Sequence, residues 1–552
     1  MRNIKLYNLA LALLVFLLCN MSCTKLDTPV YSNVLNDNFW KTPDQIAAGI
    51  APAYAQLTAL VTWNTYPLNT TTTDEQIVPT RGNDWYDNGN WQRLWLHTWT
   101  ASDDIVNSSW NDLFNGIGRC NFILDVVNNL PAKPDNVANI NAELKILRAY
   151  YYYMAMDMFG NVPIVKDFKT DPSTVKNNTR QEVFNFIETE LNENIPLVTS
   201  DVSASTYGRS NKWVGFSILA KLYLNAKVYT GTDRYTDCIK ACDSIIMNAP
   251  YALEPVYFDN FKPDNGPSNK ENIFVVPFDH TNIRGNPKEN QTLHYDNVST
   301  FGLPGGMWNG FCTHANFYYT FDTSSTYTVN GNNTYRTFRD QRTGQYLVGQ
   351  QFSVRYPYPQ HKDILYASTD NSIKLKDGGT GLPLIYEPNF NVIASSEGFF
   401  RLVGARSIKY FPEAGTTGDI SNDVVIFRYA DILLMKAEAL LRSQGNTAQA
   451  LDLVNQVRLR AYSNDNSGKW TLADLTLPNL LKERGRELAW EGWRRQDMIR
   501  YEVTSGTQIF GAARVPGKAA DPADGHLNIF PIPSRAYSAN KNLVQNPGYP
   551  PF

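Results

Sequence analysis

With 552 residues, the chain is long enough for a large core or several domains. Its formal net charge of −3, with 19% charged residues, excludes a basic nucleic-acid surface and a polybasic membrane patch. Aromatic residues make up 13%, including 12 Trp and 31 Tyr; that excess suits a core, or surfaces where a flat ring meets the C–H face of a sugar.

Arg2 and Lys5 precede an apolar run at residues 9–18 that is too short to span a bilayer. The pattern reads as a secretory signal. Asn20-Met21-Ser22-Cys23 then resembles a bacterial lipobox, which makes Cys23 the expected lipidation site. Acyl chains on Cys23 would anchor the chain to a membrane, since several chains hold where one does not. Residues 38–61 open the helical part, with Asn38 or Thr42 as N-cap and Pro43 in the first turn. Residues 70–100 are rich in Trp, Asp, Asn and Gly and show little helical periodicity. Residues 109–129 and 141–159 return to helix. Tyr150, Tyr151, Tyr152 and Tyr153 put aromatic surface on every side of one helix, which predicts burial between neighbours. Gly160 and Pro163 end it. Residues 179–197 form another helix.

Two helix pairs follow a tetratricopeptide-like template, in which small residues let two helices approach closely. The first, at residues 213–247, carries Leu222, Ala226, Tyr229, Tyr235, Cys238, Cys242 and Ile245 at template positions. The second, at residues 426–461, carries Leu434, Ala437, Leu441, Gly445, Ala450, Val454 and Val457, with a break at Gly445-Asn446. One pair cannot bury its own apolar face, so further pairs are expected. The fold class is therefore mainly α: a tetratricopeptide-like helical-pair scaffold with a large loop-rich ligand-binding face. The expected organisation is a signal at 1–22, an anchor and tether at 23–37, a helical region at 38–249, a loop-rich insertion at 250–425 and a C-terminal helical region at 426–552. The two helical regions pack as one domain. Residues 480–495 predict one further helix, and residues 527–532 are strand-like.

The cysteines do not form a disulfide framework. Cys19 and Cys23 lie in the leader, and Cys120 and Cys312 stand alone. Cys238 and Cys242 are one helical turn apart at core positions. With only six His and no third ligand nearby, they read as buried thiols rather than metal ligands, and no metal or cofactor is expected.

Several stretches together carry a family likeness. They are Asp74-Glu75 with Arg81-Gly82-Asn83-Asp84-Trp85 and His97-Thr98-Trp99, then Phe159-Gly160-Asn161-Val162-Pro163. Later come Arg428-Tyr429-Ala430-Asp431, Glu483-Arg484-Gly485-Arg486-Glu487-Leu488 with Glu491-Gly492, and Phe530-Pro531-Ile532-Pro533 with Gln545-Asn546-Pro547-Gly548-Tyr549. The chain resembles the SusD/RagB family of surface glycan-binding lipoproteins. The resemblance implies four tetratricopeptide-like units, a loop-rich ligand face and no catalysis. It implies an outer-membrane, lipid-anchored protein facing the cell exterior. It also implies a partner, a TonB-dependent outer-membrane transporter that receives the glycan. Family members differ in ligand, and some bind peptides.

The first candidate ligand face is residues 70–99. Asp74 and Arg81 can bond vicinal hydroxyls, and Trp85, Trp91 and Trp99 can stack. The resemblance puts Asp74, Arg81 and Trp99 near sugar-contacting positions; Asp84 and Trp85 are equally suited to holding the loop in shape. The second candidate is Tyr295 with Trp308 and Asn309, where Gly305-Gly306 allows a tight exposed turn. Glu483, Glu487 and Glu491 recur at i,i+4, and Glu491 precedes Arg495 in the favourable order. With Arg484, Arg486, Arg494 and Arg495 interleaved, and Arg428, Arg458 and Arg460 available, they predict a structural ion-pair lattice rather than a glycosidase pair. No nucleophile elbow, phosphate loop or zinc motif appears. A helical-repeat scaffold with mainly protein partners is the alternative from another class.

Overall fold

The computed structural model describes residues 39–354, 364–390, 398–514 and 517–552. The signal, Cys23 and the tether lie outside the described residues. Ten longer helices build the frame. They are α1 Pro43–Ala55, α2 Asp104–Asn128, α3 Val137–Phe159, α4 Arg180–Asn194, α5 Lys212–Leu224, α6 Tyr235–Asn248, α7 Tyr429–Arg442, α8 Thr447–Ala461, α9 Leu477–Glu487 and α10 Arg494–Ser505. Each from α1 to α8 packs on the next, so four pairs pile up in chain order. This is the mainly α, paired-helix scaffold expected from the two templates.

Local chemistry sets the starts. Thr42 caps α1 in a capping box with Gln45, behind Pro43 at the first helical position, and Thr179 with Glu182 does the same for α4. Asn446 caps α8 just after Gly445. Packing follows the small-residue logic. Ala430, Leu434, Ala437, Ala450, Val454 and Val457 share one apolar cluster between α7 and α8. Leu222, Ala226, Tyr229, Tyr235, Cys238, Cys242 and Ile245 are all buried. So are the four tyrosines of α3; Tyr151 donates to the Ala53 carbonyl at 2.7 Å and Tyr153 to Gln496 at 2.8 Å. Cys120 and Cys312 are buried free thiols.

Gly116 lets α2 approach α3. A Cβ there would lie 2.4 Å from the Tyr151 ring, inside van der Waals contact. Gly116→Ala should therefore destabilise the chain by about 1–3 kcal/mol through overpacking. A urea midpoint equal to wild type would mean that the ring has room to move.

The loop-rich insertion is tied at its neck. Asn272–Val276 pairs antiparallel with Val424–Arg428, and every residue of both strands is buried. Residues 277–423 leave the frame on one strand and return on the other. They have a separate apolar cluster, including Leu293, Phe301, Met307, Phe352, Leu384 and Phe411. A small three-stranded antiparallel sheet, Ser325–Asn330, Asn333–Phe338 and Ile364–Ser368, lies on this part.

The ion-pair lattice is present and buried. Glu483 bonds Arg342 at 2.8 Å, Arg458 at 2.6 Å and Arg486 at 2.5 Å. Glu487 bonds Arg342 at 2.9 Å, Arg428 at 2.6 Å and Arg460. Arg484 joins Asp431 and Asp497 at 3.0 and 2.8 Å. Three expectations need correction. Residues 480–495 are not one helix: α9 ends at Glu487 and α10 starts at Arg494. Trp490 and Gly492 take left-handed φ of 63° and 80°, fixed because the Trp490 N–H donates to the buried Glu75 carboxylate at 3.1 Å. Glu491 therefore leaves the helix face and pairs with Lys409 at 2.5 Å and Arg428 at 2.8 Å, while Arg495 pairs with Asp157. In the tail, residues 527–532 form no strand; a short turn of 3-10 helix at His526–Asn528 leads into extended chain whose Phe530 N–H donates to the Met158 carbonyl at 2.7 Å. Residues 70–100 contain a short helix, Asn90–Leu96, which their composition did not signal.

Candidate functional site

Four partly exposed rings meet where the 81–88 turn touches the insertion: Trp63, Trp85, Tyr295 and Trp308. Trp85 has a left-handed φ of 61°, and its backbone turn is closed by paired bonds between Arg81 and Asp84. Its indole N–H donates to the Trp308 carbonyl at 2.6 Å. Its ring covers Gly310, where a Cβ would sit 2.3 Å from the indole. Trp308 stacks on Trp63, with centroids 5.6 Å apart and planes 28° apart. Beside them, the Tyr295 hydroxyl donates to the Asp84 carboxylate, and the Arg401 guanidinium lies 4.8 Å from the centre of the Tyr295 ring. Burial, with Asp84 beside it, pushes the Tyr295 hydroxyl up to about 12, so it stays a donor. Arg401 is held in turn by the buried Asp377, through Nε and Nη2 at 2.9 Å each. The result is a ledge of four rings gathered around one turn, with a fixed polar edge. Rings held this way lose little freedom on meeting a ligand.

The other candidates lie inward. Arg81 is fully buried and donates to the carbonyls of Phe400, Val403 and Gly310 at 2.6, 2.7 and 3.0 Å. Burial lowers its guanidinium to about 9. Trp99 is buried, with its indole N–H on the Tyr549 hydroxyl at 2.8 Å and its ring against His97 and Phe530. Trp91 is buried and donates to Asp87 at 2.6 Å. Asn309 is buried at a left-handed φ of 57° and donates to the Arg401 carbonyl at 3.0 Å. Asp74 forms a two-point pair with Arg494 at 2.7 and 2.8 Å; burial pushes its carboxyl up, but that guanidinium outweighs it and holds it low. Arg81, Trp91, Trp99 and Asn309 shape and brace the loop and offer no open face, whereas Asp74 is partly exposed. That corrects the expectation that Arg81, Trp91, Trp99 and Asn309 present themselves to a ligand. Reasoning from sequence missed Trp63 and Arg401 and placed Asp84 only as a brace.

Among the described residues, His294, Asp296 and Asp377 have metal-ligand reach. Burial, then Arg406, depress the His294 imidazole to about 3. Arg401 already grips Asp377, so that carboxylate is taken by a guanidinium. Glu483 and Glu487 are fully buried among arginines and form no carboxylate pair across an open cleft. No described helix is long and apolar enough to cross a membrane.

Comparison with known proteins agrees with this architecture. A family model described as "SusD family" matches residues 270–549, and a second, "Starch-binding associating with outer membrane", matches residues 32–224. The Starch-binding protein SusD of Bacteroides thetaiotaomicron is 24% identical over 471 residues, covering 84% of this chain and 82% of that one. Surface glycan-binding protein A from Bacteroides uniformis superposes with a TM-score of 0.69 at 19% identity, over 92% of this chain and 99% of that one. Surface glycan-binding protein A from Bacteroides thetaiotaomicron, solved with laminarihexaose, superposes with a TM-score of 0.65 at 20% identity, over 91% and 99%. With one family model spanning half of its length and the paired-helix frame in place, the chain belongs to the SusD family.

Proposed function

We propose that this protein captures an oligosaccharide or polysaccharide on the Trp63–Trp308–Trp85–Tyr295 ledge and delivers it to a TonB-dependent transporter in the outer membrane. The observation that carries the reading is the ledge: four partly exposed rings locked by backbone and side-chain bonds beside Asp84 and Arg401. Rings supply stacking area, and the carboxylate and guanidinium supply hydroxyl contacts. The buried state of Glu483 and Glu487, whose oxygens are spent on arginines, supports capture rather than cleavage. Acylation of Cys23 would hold the chain on the membrane with the ledge facing the cell exterior. The starch-binding and laminarihexaose-bound relatives support the ligand class. A glycan panel read by affinity electrophoresis, followed by calorimetry, tests the reading. Saturable binding of at least one glycan without release of reducing ends is expected. Binding of peptides alone, or steady turnover, would overturn it.

A further inference from the structure

The charges around the ledge select among glycans, an inference that rests on the capture reading above. We propose that the ledge takes neutral glycans and discriminates against those bearing carboxylate or sulfate groups. Asp84 and Asp87 are exposed, and Asp296 is partly exposed. Asp84 commits one oxygen to the Tyr295 hydroxyl, and Asp296 commits one to the Gly378 N–H at 2.9 Å. Their remaining lone pairs accept only from groups that carry a hydrogen. Sugar hydroxyls do; carboxylates and sulfates do not.

Among the described residues around the ledge, carboxylates outnumber accessible cations. Among the described residues, Arg401 is the one cation over a ledge ring. Its Nε and Nη2 are taken by Asp377, which also accepts from Thr380 Oγ1 at 2.7 Å. The side-on fork is therefore occupied, leaving the end-on donors, Nη1 and the second hydrogen of Nη2, for a ligand. Arg81 and Arg406 are fully buried, with their Nη atoms on carbonyl oxygens, those of Arg406 on Thr292 and Arg401 at 3.3 Å each. They offset the field of the carboxylates from behind without reaching the surface. Asp84 and Asp87 are exposed, whereas Arg401 is only partly so.

A hydroxyl pair can donate to Asp84 and accept from Arg401 Nη1. An acidic group at the same place loses the first bond and meets like charge, which together amount to roughly tenfold or more in affinity. The experiment uses the whole mature chain and two panels of probes. The neutral panel holds α- and β-glucans, xylan and mannan; the acidic panel holds polygalacturonate, alginate and carrageenan. The best neutral probe should bind at least about tenfold tighter than the best acidic one, with little change up to about 0.5 M NaCl. In Asp84→Asn with Asp296→Asn the gap should shrink by about threefold or more. Each amide keeps an acceptor oxygen for Tyr295 or Gly378, so the fold does not depend on the charge. An acidic probe that binds as tightly as the neutral ones, or tighter, overturns the inference and leaves the capture reading standing. Silence from both panels overturns the capture reading, and the inference falls with it.

Discussion

Glu487→Ala should lower the free energy of unfolding by about 3–5 kcal/mol, a large part of the roughly 5–15 kcal/mol that holds a typical domain. Glu487 is fully buried at the end of α9. Its carboxylate accepts from Arg342, Arg428 and Arg460, and those guanidiniums share Glu271, Glu483, Glu491 and Asp340. Arg458, Arg486 and Lys409 complete the cluster, so six cations face five carboxylates. Removing one carboxylate leaves the cations under-compensated in a place water does not reach, which costs far more than the lost pair itself would gain on the surface. Glu487→Gln separates charge from shape, because it keeps the volume; it should lose at least half as much. Equal urea midpoints for wild type and Glu487→Ala would sink the account.

The same site gives a pH signature. Burial pushes the Glu487 carboxyl up, but Arg460, Arg428 and Arg342 outweigh it and bring it to about 2, below the usual 4.5. Its folded pKa is depressed, so its contribution is fully present above about pH 4.5 and is lost as pH falls toward 2. Wild type and Glu487→Ala should therefore converge in stability across that acid window. Parallel curves would mean that the carboxylate does not carry the difference.

The frame was legible because its signals are local. Capping residues such as Thr42 and Thr179 act within one turn, and small residues at Ala437 and Ala450 declare a helix contact through spacing alone. The i,i+4 glutamates with interleaved arginines likewise announced a lattice. The break at residues 488–493 was not legible, because its left-handed Trp490 is fixed by Glu75, 415 positions earlier. Ring exposure failed for the same reason. Trp99 and Trp85 lie in the same Trp-rich stretch, yet Trp99 is closed over by the tail through Tyr549, 450 positions away, and Trp85 stays partly open. Arg81 looked like a sugar-binding fork until carbonyls some 320 positions along the chain took its donors. Trp63 lies in no motif and no periodic run; only its stack on Trp308 gives it meaning.

Trp308→Ala should weaken binding of whichever glycan the panel finds by about thirtyfold, which corresponds to roughly 2 kcal/mol. The indole is the hub of the ledge: it stacks on Trp63, and its backbone carbonyl holds Trp85. Truncation removes the stacking surface but leaves that carbonyl, so Trp85 keeps its bond and the loop keeps its shape. The loss should therefore appear in calorimetry, while the unfolding midpoint moves little. Trp99→Phe should show the reverse, losing the bond to Tyr549 and some stability with affinity intact. Because Trp63 and Trp308 are in direct contact, their alanine variants should not add: the double variant should lose less than the sum of the singles, since removing either ring already spoils the shared face. Strict additivity would assign the two rings to separate ligand contacts, and an unchanged affinity in Trp308→Ala would move the glycan site off the ledge altogether.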